Sequence, residues 1–315
     1  GKQVTLVELG NQLMAPVDFD IASFIHEKAE QHGLALLLNT GVEKFADLGD
    51  TIRVFLNNGT SIDTEAVILA IGVKPETKLA KDAGLEMGTT GGILVNGYMQ
   101  TSDPDIYAVG DAVEVEHYIH HSKVLIPLAW PANRQGRMVA DNISLGNRYT
   151  YPGSLGSSIL KFFELTVACT GLSEKFLKRN NIPHKTAIVT RGHHAGYYPG
   201  AKNIVLKLIF DDSGRIFGAQ AVGEKGIDKR IDVIATAIKG NLTIFDLPEI
   251  EITYAPPYNS AKDPVNIVGY TAENILNGIL DMVNYDEFDR FVNENNVIIL
   301  DVRTPREYAE GHITG

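Results

Sequence analysis

The chain has 315 residues, of which 44% are hydrophobic and 21% charged, a composition typical of a globular protein of about two domains. The formal net charge of −11 disfavours a nucleic-acid partner, because proteins that bind the anionic phosphate backbone carry basic surfaces. No apolar run reaches the ~18 residues that a membrane-spanning helix needs, and residue 1 does not begin a signal peptide. We therefore expect a cytoplasmic protein without a membrane partner.

The sequence contains one cysteine, Cys169, which excludes an internal disulfide. It lies in the apolar run LTVACTG at residues 165–171. We therefore expect Cys169 to be a small buried core residue and not a reactive thiol. Both termini interrupt a pattern, since the chain opens directly on a strand-like run and stops inside a motif. We therefore expect an internal segment of a longer protein, with any redox-active cysteine outside it.

Periodicity predicts the elements in chain order. The first unit has a strand at residues 1–9, a helix at 21–32, and strands at 35–38, 52–55 and 66–70, with a hairpin turn at 57–59. A strand pair is predicted within 92–111 and a helix at 130–142. Strands at 186–190 and 203–210 and a helix at 227–239 predict a separate α+β unit that ends near residue 278. A polar helix at 284–296 and a buried strand at 297–302 begin a third unit.

The most informative motif is the run TSDPDIYAVGD at residues 101–111. Residues 106–109 predict a short buried strand, and Gly110 permits a sharp turn without a Cβ clash. Asp111 then lies where a strand ends, which is the crevice that binds ligands in α/β folds. A carboxylate there can accept hydrogen bonds from the hydroxyls of a ribityl chain, whereas a surface Gly-Asp turn is the alternative.

This run resembles the second FAD fingerprint of the pyridine-nucleotide disulfide oxidoreductases. The resemblance implies that Gly110 and Asp111 bind FAD, with the aspartate on the ribityl group. It also implies the fold class, which is α/β with Rossmann-like FAD- and NAD(P)-binding domains and an α+β dimerisation domain.

A second motif, LAWPANRQG at residues 128–136, predicts the start of a helix. Pro131 suits the first helical turn, where its missing N–H costs nothing, and the free amides there carry partial positive charge. In the resembled family this helix points at the flavin pyrimidine edge, which implies that the backbone of Leu128, Ala129 and Trp130 faces FAD. An ordinary helix start is the alternative.

Glu8, at the end of the first predicted strand, points to the nicotinamide cofactor. An acid at this position of a dinucleotide-binding unit hydrogen-bonds the ribose hydroxyls and disfavours a 2′-phosphate. The run AIGVKP at residues 70–75 resembles the family's next crossover in the NAD domain and adds Gly72 to the predicted NAD site. We expect NADH in preference to NADPH.

Beyond residue 150 the chain resembles the dimerisation domain of the coenzyme A-disulfide reductase branch, whose relatives include NADH oxidases and peroxidases. In the run TYAPPYNSAKDP at residues 253–264 the tandem prolines keep the backbone extended. The resemblance implies a homodimer in which Tyr254 reaches the partner subunit's active site and contacts FAD. A second tyrosine is expected from residues 196–200, where Tyr197 is favoured and Tyr198 stays open. A phenol can hydrogen-bond a departing thiolate or protonate it.

The same branch contacts coenzyme A at positions that correspond to Asn133 and Lys262. Lysine suits a phosphate and asparagine a pantetheine amide, and plain surface residues are the alternative. His117, His120 and His121 form a cluster, but no cysteine or carboxylate set accompanies them, so we expect no metal site.

Residues 297–313 resemble the first signature of a rhodanese domain, with a buried strand, an Asp301-Val-Arg303 turn, a short helix and Gly-His-Ile. The nucleophilic cysteine of that family lies further downstream, so this part alone cannot transfer sulfur. The implied domains are 1–91 for NAD(P)H binding, 92–150 for the C-terminal portion of the FAD-binding domain, 151–278 for dimerisation and 284–315 for the start of the rhodanese domain.

The implied function is an FAD-dependent NAD(P)H oxidoreductase that reduces the S–S bond of coenzyme A disulfide, coenzyme A persulfide or polysulfide, coupled to a rhodanese domain. An NADH oxidase or peroxidase of the same family is one alternative. A non-catalytic redox-sensing flavoprotein and a plain NAD-binding protein are the others.

Overall fold

The computed structural model describes residues 2–313. The helices in this range are α1 (Phe19–Gln31), α2 (Lys78–Asp82), α3 (Ala129–Leu145), α4 (Glu174–Arg179), α5 (Ile227–Lys239), α6 (Pro264–Leu276), α7 (Tyr285–Glu294) and α8 (Pro305–Glu310). The strands are β1 (Thr5–Val7), β2 (Ala35–Leu37), β3 (Val42–Asp47), β4 (Ile52–Leu56), β5 (Ser61–Thr64), β6 (Ile93–Leu94), β7 (Val113–Glu116), β8 (Lys123–Val124), β9 (Ser158–Phe162), β10 (Leu165–Gly171), β11 (Lys185–Gly192), β12 (Asn203–Phe210) and β13 (Ile216–Gly223).

The N-terminal residues form a strand–helix–strand unit in which β1 and β2 pair in parallel. The connecting helix α1 buries Ile21, Ala22, Ile25 and Ala29, which share one face at helical spacing. The predicted strands at 1–9 and 35–38 and the helix at 21–32 are therefore confirmed, with ends that differ by a few residues.

Strands β3, β4 and β5 form an antiparallel meander. The predicted turn joins β4 to β5, and Gly59 adopts the left-handed conformation (φ +82°) that such turns require. The sequence pattern does not predict β3, because its side chains are mostly exposed and no apolar alternation marks it.

Two predicted strands are absent from the structure because nothing in residues 2–313 pairs with them. Residues 66–70 form no strand, and Ile68 is 91% exposed. Residues 297–302 are neither a strand nor buried, and Ile298 is 93% exposed. An apolar β-branched run has strand propensity, but a strand forms only where a neighbour satisfies its backbone groups.

The predicted buried strand at residues 106–109 is also wrong. This segment makes a single isolated bridge, between Gln100 and Tyr107. Ile106 and Val109 are each 39% exposed. The run therefore passes beside the small sheet of β6, β7 and β8 without joining it.

The second half of the molecule is built on a five-stranded antiparallel sheet in the order β11-β12-β13-β10-β9. Helices α5 and α6 cover one face, where Leu208, Ile231 and Val268 belong to one buried cluster. The predicted strands at 186–190 and 203–210 and the helix at 227–239 are confirmed.

Helix α1 covers the opposite face of this sheet. Ile25 belongs there to one buried cluster with Val167, Cys169 and Val222, whereas Ala168 belongs to the cluster on the other face, as strand alternation requires. Burial raises the pKa of the Cys169 thiol. Cys169 is therefore a core residue, as predicted.

The C-terminal helices α7 and α8 confirm the predicted polar helix and the short helix after it. Tyr285 of α7 stacks on Phe19 with ring centroids 6.1 Å apart. Helix α8 begins with a capping box between Thr304 and Glu307. Across the described residues, none of these helices combines the length and apolar character needed to cross a bilayer.

Candidate functional site

The turn at Gly110 and Asp111 is held against helix α3. Gly110 has a φ of +81° and begins a 3-10 turn that includes the exposed Asp111. The Gly110 amide donates to Oε1 of Gln135 over 2.7 Å, and Gln135 is buried in α3. A side chain at Gly110 would require a strained backbone conformation, so the glycine predicted from sequence is needed for the turn.

The N-terminus of α3 presents backbone amides that no side chain caps. Leu128, the N-cap residue, is extended, and its side chain cannot accept a hydrogen bond. Pro131 lies buried in the first turn, as predicted, whereas Ala129 and Trp130 are exposed, Trp130 by 75%. Free amides with partial positive charge favour an electron-rich ligand at this end of the helix.

Apart from Tyr254, the residues predicted to bind FAD therefore lie on two adjoining segments. The sequence separates Gly110 from Gln135 by 25 positions, and their hydrogen bond brings the turn and the helix together. An exposed carboxylate beside uncapped amides fits a flavin, whose ribityl hydroxyls donate and whose ring accepts. Sequence reasoning missed Gln135, since nothing in its local pattern indicates a partner so far away.

On the nicotinamide side, Glu8 follows β1 directly. Its Oε1 accepts from the Gly10 amide over 2.7 Å, which fixes the carboxylate at the end of the strand. Gly72 is exposed, with a φ of +87° that favours glycine. No hydrogen bond between Glu8 and Gly72 occurs in residues 2–313.

Tyr197 and Tyr254 come from two different loops and meet. Their phenol oxygens lie 3.1 Å apart, and the rings are 76% and 49% exposed. The hydrogen bond to Tyr254 raises the pKa of Tyr197. Tyr198 points elsewhere and packs edge-on against His194, with ring centroids 5.5 Å apart. Tyr197 is thus the member of the open pair that faces Tyr254.

Asn133 and Lys262 are both exposed and lie on different elements. The Asn133 side-chain amide donates to the carbonyl of Ala129 over 2.9 Å, which places it beside the uncapped amides of α3. The Lys262 ammonium lies 5.8 Å from the centre of the Tyr270 ring. Within residues 2–313, no hydrogen bond joins these two side chains.

The histidine cluster is not arranged as a metal site. His117 is buried, and burial followed by the nearby His120 and His121 lowers its pKa to about 4. No set of three or more histidine, cysteine, aspartate or glutamate side chains within 2–313 is placed to hold a metal ion.

Two family profiles match the chain in succession. The profile described as pyridine nucleotide-disulphide oxidoreductase matches residues 1–136, and the dimerisation domain of the same family matches residues 157–264. The chain therefore belongs to the pyridine nucleotide-disulphide oxidoreductase family. Membership implies FAD and NAD(P)H as cofactors, and it confirms the predicted α/β fold with a Rossmann-like unit and a dimerisation unit.

Within this family the chain is similar to reductases of sulfur compounds. The coenzyme A disulfide reductase of Staphylococcus haemolyticus is 32% identical over 276 residues, which is 87% of this chain and 61% of that protein. The structure of reduced Bacillus anthracis CoADR-RHD is 53% identical, with a TM-score of 0.95, and the match covers 100% of this chain and 56% of that one. For the NAD-dependent persulfide reductase from A. fulgidus the identity is 36%, the TM-score 0.91 and the coverage 99% and 56%. The chain thus spans less than two thirds of each relative.

Proposed function

We propose that this chain forms part of a flavin-dependent NAD(P)H reductase of S–S bonds, with coenzyme A disulfide, coenzyme A persulfide or polysulfide as the acceptor. The observation that carries the proposal is the contact between the exposed phenols of Tyr197 and Tyr254. One hydroxyl can donate to the other and leave a second O–H for an incoming sulfur. The similarity to a coenzyme A disulfide reductase and a persulfide reductase supports this class of acceptor.

Each part of the site has a role in this proposal. A bound flavin would supply two-electron transfer from the nicotinamide to an S–S bond, which breaks to leave two thiolates. Asp111 would hold the ribityl hydroxyls, and the backbone of Leu128 with the free amides of Ala129 and Trp130 would face the electron-rich edge of the ring. Tyr254 would lie against the flavin of the partner subunit.

The tyrosine pair would act on sulfur rather than on the nicotinamide. A thiolate leaving a disulfide needs a hydrogen bond or a proton, and a phenol can supply either one. Cys169 is excluded as the attacking thiol because it is buried and its pKa is raised. Exposure of both rings on one protomer is consistent with a homodimer that shares this surface.

The remaining residues would select the two substrates. Glu8 would accept from the ribose hydroxyls and repel a 2′-phosphate, which favours NADH. Lys262 would bind a phosphate of coenzyme A, and Asn133 a pantetheine amide.

Replacing Glu8 by serine is expected to narrow the preference for NADH over NADPH in kcat/KM. An unchanged preference would remove Glu8 from the cofactor site.

The experiment that tests the function compares acceptors on the full-length protein. NADH oxidation is measured with coenzyme A persulfide, coenzyme A disulfide, polysulfide and oxygen, and we expect a sulfur acceptor to be fastest. Tyr254→Phe and Tyr197→Phe should each lower kcat/KM for that acceptor by about a hundredfold. Tyr258→Phe is the matched control, since Tyr258 lies in the same loop as Tyr254 and is 73% exposed.

An NADH oxidase is the second candidate, favoured by one comparison. The water-forming NADH oxidase from Lactobacillus brevis is 28% identical, with a TM-score of 0.84, over 89% of this chain and 62% of that one. Oxygen as the fastest acceptor would select this function. Purified full-length protein without the absorbance bands of a flavin would reject both.

We further propose that residues 284–315 begin a rhodanese domain. We also propose that residues 1–91 bind NAD(P)H, that residues 92–150 belong to the FAD-binding domain and that residues 151–278 form the dimerisation domain. The Asp301–Arg303 pair supports the first point. Arg303 donates from Nε and Nη2 to the Asp301 carboxylate and from Nη2 to the Gly311 carbonyl, and this lowers the pKa of Asp301 to about 2. Full-length protein should transfer sulfur from thiosulfate to cyanide, and its failure to do so would reject the rhodanese assignment.

A further inference from the structure

A buried arginine lies between the two loops that carry the tyrosine pair. Arg230 belongs to α5, and its side chain is 2% exposed. Its Nη2 donates to the His193 carbonyl and to Asn259 Oδ1, each over 2.9 Å. His193 precedes the loop with Tyr197, and Asn259 follows the segment with Tyr254. One guanidinium therefore bonds both loops.

The same guanidinium is paired with Asp263, which is 1% exposed. Nε donates to Asp263 Oδ1 over 3.3 Å, and Nη2 lies 2.8 Å from Asp263 Oδ2. Both Nη2 hydrogens are already directed at the two loop acceptors, so the contact with Oδ2 is one of charge and not of an aligned hydrogen bond. Charge thus holds the arginine in place while its fork binds the loops.

Asn259 extends this connection toward both tyrosines. It is fully buried, its carbonyl accepts from the Ala195 amide over 3.0 Å, and its side-chain amide donates to the Thr253 carbonyl over 3.3 Å. Ala195 is two residues before Tyr197, and Thr253 is one residue before Tyr254. The backbone on either side of the phenol contact is therefore fixed by groups that Arg230 orients.

A glycine at the start of α5 leaves space for the guanidinium of Arg230. Gly226, the N-cap residue, has a φ of +73°, and its carbonyl accepts from Arg230 Nη1 over 3.1 Å. A Cβ at Gly226 would lie 2.4 Å from Arg230 Nη1, closer than atoms can approach. Replacing this glycine would therefore displace the arginine without changing any charge.

We propose that Arg230 is a positioning residue for the tyrosine pair, because its fork holds the two loops at the separation that lets the phenols of Tyr197 and Tyr254 touch. Arginine is required because a planar fork can serve acceptors in several directions, whereas a lysine ammonium is a point donor. The inference rests on the proposed function for its catalytic meaning. The geometric claim is independent of that function.

The test measures the phenol contact directly in the full-length protein. Photo-oxidation with a ruthenium complex and persulfate couples neighbouring tyrosine rings, and mass spectrometry of peptides identifies a Tyr197–Tyr254 bond. The main variant is Arg230→Met combined with Asp263→Asn, which leaves no unpaired buried charge and keeps a residue that caps α6 well. Gly226→Ala is the second variant, and Lys229→Met, next to Arg230 in the sequence, is the control.

We expect the Tyr197–Tyr254 crosslink to be lost in the double variant and in Gly226→Ala, with circular dichroism unchanged, and to be kept in Lys229→Met. With the sulfur acceptor, kcat/KM should fall about a hundredfold, as a displacement of about 1 Å can produce, while reduction by NADH keeps its rate. A full crosslink yield in the double variant would overturn the inference. A wild-type protein that crosslinks but reduces no sulfur acceptor would overturn the proposed function alone.

Discussion

Among residues 2–313, Lys207 and Arg230 are two fully buried cations, and their surroundings differ. Lys207 Nζ lies 2.6 Å from Glu174, 2.7 Å from Asp20 and 3.2 Å from Asp18, so three carboxylates surround one ammonium. Arg230 faces one carboxylate, and its other acceptors are uncharged. In the first cluster three carboxylates share Lys207, with Lys178 bound to the other oxygen of Glu174 over 2.8 Å, whereas Arg230 and Asp263 form a one-to-one pair.

The Lys207 cluster joins two parts of the fold. Asp18 and Asp20 lie at the start of α1, while Lys207 and Glu174 belong to the unit of the five-stranded sheet. Burial alone would lower the pKa of Lys207, but Asp18, Asp20 and the third carboxylate raise it, so the ammonium stays charged. We infer that this cluster maintains the fold, whereas the Arg230 cluster positions a functional surface.

The largest effect is expected from Lys207→Met. Removal of the ammonium leaves three carboxylates together in a buried place, and loss of one partner of a buried ion pair typically costs ~3–5 kcal/mol. The free energy of unfolding, measured by urea denaturation, should fall by about that amount. Lys185→Met, which removes a lysine that is 41% exposed, should change it by no more than ~0.5 kcal/mol. Equal losses for the two variants would contradict the comparison.

A smaller effect is expected when a second substitution, at a partner carboxylate, is added to the loss of each buried cation. Arg230→Met alone should destabilise the protein because Asp263 is left buried and charged, and adding Asp263→Asn should recover ~1 kcal/mol or more. In the other cluster, Asp20→Asn added to Lys207→Met should recover less, since two carboxylates remain. Urea denaturation of the four variants measures both recoveries. Greater recovery of the free energy of unfolding at Lys207 than at Arg230 would contradict this comparison of the two clusters.

The smallest effect is a difference in pH dependence between two histidines. The hydrogen bond with Glu174 raises the pKa of His184, and burial is the largest effect that opposes it. The stabilising contribution of the charged histidine is therefore lost as pH rises above about 6.5. Burial first, then His194, Lys225 and Arg230, lower the pKa of His193. The unfolded chain then binds the proton more readily, and stability falls as pH drops below about 6.5.

Urea midpoints between pH 5 and pH 8 check this difference. His184→Gln should flatten the alkaline side of the stability profile, and His193→Gln should flatten the acidic side. A flattened acidic side in His184→Gln, or a flattened alkaline side in His193→Gln, would contradict these pKa shifts.

The local features of the candidate site follow from the sequence. The positive φ of Gly110, the place of Pro131 in the first turn of α3 and the burial of Cys169 each depend on the chemistry of one residue and its near neighbours. The strands predicted at 66–70 and 297–302 were wrong because a strand needs a partner, and apolar content does not reveal whether one is present.

The sequence by itself determined the family motifs, the helices α1, α3, α5, α7 and α8, and the candidate site residues, whereas α2, α4 and α6 were not predicted. Only the tertiary structure decided that Gln135 reaches Gly110, that Tyr197 and not Tyr198 meets Tyr254, and that Arg230 lies behind them. The reason is physical. Local conformation depends on neighbours along the chain, whereas a hydrogen bond of 3 Å between residues 57 positions apart depends on how whole elements pack.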